Sequence, residues 1–92
     1  MIYMEELKMI TKYIVKCVMN TPEGEFIWYF GKDSKLLGST EPLNHCSVSK
    51  MTNSMIREFG YDDRLSAENS KEYKNTNNSV LPQIATIISI DV

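Results

Sequence analysis

The pair His45-Cys46 is where covalent chemistry could begin. A cysteine becomes a thiolate nucleophile when an imidazole reaches its sulfur. Neighbours on an extended chain point opposite ways, however, so these two side chains do not meet directly. No third residue is evident to orient the imidazole. The pair reads as a loop histidine beside a half-buried cysteine. A zinc site needs three or four ligands. Cys17, His45 and Cys46 would supply three, but their spacing matches no zinc finger. We assign no catalytic residue, no cofactor and no metal ligand.

The densest ionisable group is Asp62, Asp63, Glu68 and Glu72. On one helix, Glu68 and Glu72 would share a face at i, i+4. Paired carboxylates can do acid–base work or hold a hard cation. Here Arg64, Lys71 and Lys74 are interleaved, which reads as a solvated, salt-bridged surface. These four acids are the candidate contact for a basic surface on a partner protein.

Other chemistry is excluded more simply. The four glycines are scattered, so there is no phosphate-binding loop, and there is no nucleophile elbow. Net charge is −2, from 12 acidic and 10 basic residues. A nucleic-acid binder would normally be basic, and a mimic acting by charge alone would be far more acidic. Lys12, Lys16, Lys32 and Lys35 lie near Tyr13, Trp28 and Tyr29, but Glu23 and Glu25 offset them. Direct nucleic-acid binding is not expected, nor is enzymatic activity.

The elements that would position these residues are organised around Phe26-Ile27-Trp28-Tyr29-Phe30. Aromatic and β-branched residues fit a pleated surface, so this run predicts a strand. Phe26, Trp28 and Phe30 take one face, Ile27 and Tyr29 the other. Residues 11–19 alternate likewise, and Asn20–Glu25 is a turn joining the two strands into a hairpin. Gly31–Ser34 is a second turn, and Leu36-Leu37 starts a short strand.

Residues 49–60 carry Met51, Met55, Ile56 and Phe59 at helical spacing. Ser47 or Ser49 would cap that helix, with Gly60 as a left-handed end. Residues 83–91 alternate with isoleucines on one face and predict a central strand. The expected fold is α+β: an antiparallel sheet of three to four strands with one main helix on one face. The whole chain, 1–92, reads as one domain, with 1–10 a flexible leader and 75–80 a mobile loop.

One helix covers one face only. Ile14, Val18, Ile27 and Tyr29 would then be wet on the other, and this patch predicts a two-fold homodimer through the hairpin. No basic, apolar leader of a secretory signal is visible, and no apolar run approaches a membrane span. A cytoplasmic protein with reduced thiols and no membrane association is expected.

In its short length, its Met, Lys, Asn and Ile usage and its lack of enzymatic motifs, the chain resembles the small accessory proteins of tailed bacteriophages. The resemblance is to a class, and no site residue is carried over from it. It implies a non-enzymatic inhibitor that binds and blocks a host protein of defence or nucleic-acid processing, in the bacterial cytosol. It leaves two alternatives: an acidic nucleic-acid mimic of anti-restriction type, and a small nucleic-acid-binding regulator.

Overall fold

A computed structural model describes residues 9–41, 47–49, 51–78, 80 and 82–92. The strands are β1 (Thr11–Thr21), β2 (Gly24–Phe30), β3 (Leu36–Thr40), β4 (Ser47–Ser49) and β5 (Gln83–Asp91). Between β4 and β5 come three short helices: α1 (Asn53–Phe59), α2 (Arg64–Glu68) and α3 (Lys71–Asn77). The sheet is antiparallel, in the order β4-β3-β2-β1-β5, with β4 a three-residue margin beside four longer strands. The fold is a small α+β domain.

Alternation fixes the faces. Cys17 pairs with Trp28 on one side and Ala85 on the other, and Val15 pairs with Phe30 and Ile87. Partners directly opposite share a face. One face therefore gathers Tyr13, Val15, Cys17, Trp28, Phe30, Ala85 and Ile87. This is the core, closed by Ala67 of α2, Tyr73 of α3 and Tyr61. The hairpin between β2 and β3 turns at Asp33 (φ 57°) and Ser34 (φ 60°), whose left-handed backbone matches the twist of the strands it joins.

The main helix expected at 49–60 is only seven residues long. Its cap is Thr52, whose hydroxyl accepts the Met55 N–H at 3.2 Å, rather than Ser47 or Ser49. The core face is covered instead by α2 and α3, which pack on β1 and β5. Gly60 is not left-handed; its backbone is extended (φ −65°, ψ 149°). The glycine is needed for space. A Cβ there would lie 2.6 Å from the Ile56 carbonyl oxygen and 2.8 Å from Lys12 Cβ.

The loop expected at 75–80 is also corrected in part, because Asn75, Thr76 and Asn77 end α3. Their polar side chains conceal a helix that starts at a good cap: the Ser70 hydroxyl accepts the Tyr73 N–H at 3.2 Å. Strand β5 is not central. Among the described residues it pairs with β1 alone and forms the margin opposite β4. The leader expected at 1–10 lies mostly outside the described residues, as does the His45-Cys46 pair.

Candidate functional site: a groove between α3 and the aromatic row of β2

Helices α2 and α3 sit over β1 and β5, so they leave the β2 half of the core face partly open. Along that half runs the aromatic row Phe26, Trp28 and Phe30, all half-buried. Phe26 and Trp28 stack with ring centroids 6.0 Å apart and planes 13° from parallel. Between this row and α3 lies a groove of about 320 Å³. That is the lower end of the range for pockets that hold organic ligands, roughly 300–1,000 Å³.

Trp28 and Phe30 form one wall of the groove, and Cys17 lies at its floor. Lys71, Glu72, Asn75 and Thr76 of α3 form the other wall, and Gln83 of β5 reaches its end. The helix repeat brings these α3 side chains to one side, since 71, 72, 75 and 76 are spaced by one turn. Aromatic rings on one wall and polar and charged groups on the other make a slot for an apolar body carrying a few hydrogen-bonding groups.

Cys17 is only 4% exposed. Its Sγ and the Thr76 Oγ1 lie 3.4 Å apart and share a hydrogen bond. Burial pushes the thiol above its ordinary value of 9.0. The Thr76 hydroxyl pulls it back in part, while the Glu72 carboxylate pushes it further up. A thiol held protonated is a poor nucleophile. Cys17 therefore acts here as a small apolar floor that also satisfies Thr76. Burial likewise pushes up the Tyr61 phenol, against a lowering hydrogen bond with Ser70.

The four acids are spread over the segment before α2, α2 itself and α3. Glu68 ends α2 and Glu72 starts α3, so the break at Asn69-Ser70 separates them and they share no helix face. Asp62 accepts a hydrogen bond from Lys12 Nζ, and with the Lys32 charge this holds its carboxyl below the usual value. Asp63 caps α2, its Oδ1 accepting the Ser66 N–H at 2.7 Å. Glu68 faces Arg64 at 3.7 Å. Only Glu72 reaches the groove.

The proposed hairpin patch fares differently at each residue. Ile14 is completely buried within the single chain, so it has no surface to offer a second copy. Val18, Ile27 and Tyr29 are half-buried on the face away from the core. Lys16 stands among them, paired with Tyr29, and brings a charge into the middle of the patch.

Asn75, Thr76 and Gln83 were not singled out from sequence as site residues, and Lys71 only as a charge among the acids, though Ser70 three residues before Tyr73 was a visible cap signal. Among the described residues no group of three or more His, Cys, Asp or Glu is placed to hold a metal ion, and no helix is long and apolar enough to cross a membrane. Comparison with protein-family models, curated proteins and solved structures finds no match to this chain.

Proposed function

We propose that this chain is a non-enzymatic binding module that takes a large apolar side chain of a partner protein into the groove between α3 and β2. One observation supports the reading above the rest. Trp28 and Phe30, two large apolar groups on the core face, are left half-buried beside a hole that the chain's own helices do not fill. Pockets that receive a partner's anchoring side chain have this character, with rings for contact and a polar rim for orientation. Lys71, Glu72 and Asn75 supply such a rim. By its class resemblance, the partner is a bacterial host protein that is blocked when bound, as a bacteriophage inhibitor would block it.

Trp28 is the chain's one tryptophan, so its emission reports on the groove alone. Asn75 is exposed on the groove's rim, and Asn75→Arg places a long charged side chain across the opening without touching the core. A protein captured from bacterial lysate by the wild-type chain is expected to shift Trp28 emission when purified and added back. Asn75→Arg is expected to weaken that binding at least tenfold. Capture unaffected by Asn75→Arg, with Trp28 emission unchanged, would move the binding surface elsewhere.

A further inference from the structure

Among the described residues the outer margin of β5 is open to pairing, and this feature is independent of the groove. In antiparallel sheets, successive residues send their N–H and C=O groups to opposite sides. Val92 exchanges both backbone bonds with Ile10. The register between β1 and β5 runs unbroken. The even-numbered residues Ile84 to Ile90 thus face β1, and Ala85, Ile87, Ser89 and Asp91 aim their backbone groups outward. Ala85 is occupied: Asn77 Oδ1 accepts its N–H at 2.9 Å and Asn77 Nδ2 donates to its carbonyl at 3.3 Å. Among the described residues nothing bonds to the outward groups of Ile87, Ser89 and Asp91.

Natural edge strands are kept from pairing by charged residues, prolines or bulges. From Gln83 to Ile90 this strand has no charge and no proline, and no bulge interrupts its ladder with β1. We propose that the β5 edge docks a second copy of this chain, strand antiparallel to strand, about a two-fold axis at Ser89. Ser89 then faces its own counterpart, and Ile87 faces the copy's Asp91 in both directions. Every such pair exchanges both backbone bonds.

The occupant and the register follow from the side chains. An axis at Ile88 would set Asp91 against Ala85, and an axis at Ile87 would set Ser89 against Ala85. Asn77 already holds Ala85, so both registers are obstructed. With the axis at Ser89, half-buried Ile88 lies opposite the copy's half-buried Ile90, in the close, non-hydrogen-bonded positions where side chains pack best. No like charges face one another. The strand is thus complementary to itself in hydrogen bonds and apolar contacts, as an isologous two-fold interface requires.

Sedimentation equilibrium of the full chain, from micromolar to high-micromolar concentration, tests this. A concentration-dependent dimer is expected. Ser89 is exposed and its N–H points away from β1, so Ser89→Lys and Ser89→Pro leave the ladder with β1 intact. Each is expected to weaken dimerisation at least tenfold, with unchanged circular dichroism. A monomer throughout the range overturns the proposal. So does a dimer that withstands Ser89→Lys but is split by Ile27→Asp or Tyr29→Asp, which would place the contact on the hairpin face.

Discussion

The ammonium of Lys12, on an almost buried side chain, donates to the exposed carboxylate of Asp62. This pair ties the start of β1 to the segment between α1 and α2, beside the backbone bridge of Tyr13 to Tyr61. The partners are unequal. Asp62 can be hydrated without Lys12, whereas Lys12 left unpaired is a charge largely removed from water.

That asymmetry sets a pH dependence. The folded-state pKa of Asp62 is lowered, chiefly by its hydrogen bond with Lys12. A lowered carboxyl contributes stability that is full above its unfolded value and is lost as pH falls through the folded value. Asp62→Asn is therefore expected to be less stable than wild type near neutral pH. The gap is expected to close as pH drops below the ordinary carboxyl value of 3.8. Urea denaturation of both proteins across a pH series checks this. A gap that stays constant into strong acid would assign the loss to something other than the Asp62 charge.

Cys17 offers a test of how tightly α3 sits on the sheet. In a Cys46→Ser background, thiol labelling of the native chain is expected to be slow at pH 8 and to become fast only on unfolding. Thr76→Val removes the hydrogen bond that lowers the Cys17 pKa, so labelling is expected to slow further. Fast labelling by wild type, or acceleration by Thr76→Val, would show that α3 lifts away readily and exposes the groove floor.

The close approach of α1 to its surroundings is tested by Gly60→Ala and Gly31→Ala. At Gly60 the new methyl meets Lys12 Cβ at 2.8 Å and the Ile56 oxygen at 2.6 Å. At Gly31 it meets the Phe59 carbonyl oxygen more closely still, and that atom is backbone and cannot rotate aside. Gly60→Ala is expected to cost about 1–3 kcal/mol, the usual range for overpacking. Gly31→Ala is expected to cost more. Thermal melts that leave both variants at wild-type stability would contradict this packing.

Trp28 is half-buried against the core, so Trp28→Ala is expected to cost about 2–3 kcal/mol, less than a fully enclosed tryptophan. Denaturant titration measures it. A loss below about 1 kcal/mol would place the ring outside the core altogether.

Asn77 is expected to matter more than an exposed polar residue normally does. Asn77→Ala removes two hydrogen bonds to the Ala85 backbone and is expected to cost about 1–2 kcal/mol. Hydrogen exchange of the Ala85 amide reads the effect directly, and it is expected to accelerate in the variant. Unchanged exchange would mean that this amide owes its protection to something else.

The four longer strands were legible in the residues, and β4 was not. Strict alternation over Thr11–Met19 and 83–91, and an unbroken aromatic run at 26–30, leave a strand as the one element that sorts these side chains by face. The turn at Gly31–Ser34 was legible too. The helices were legible only in part: α1 falls inside the span expected at 49–60 but is shorter, and α3 was not expected. Their length and caps depend on where the chain crosses the sheet: α1 stops at seven residues because Gly60 must pass against Lys12. The polar run at 75–77 becomes helix because the sheet supplies partners that local propensity cannot reveal, Cys17 for Thr76 and Ala85 for Asn77. The acids at 62–72 read as one group in the sequence. In the fold, a helix break, a cap and a lysine from the far end of the chain give each a separate task. The groove exists only because α2 and α3 settle over β5 and β1 and not over β2. Side-chain alternation determines which residues share a face. Which part of that face the helices cover is decided by long-range packing, and the sequence pattern holds no local trace of it.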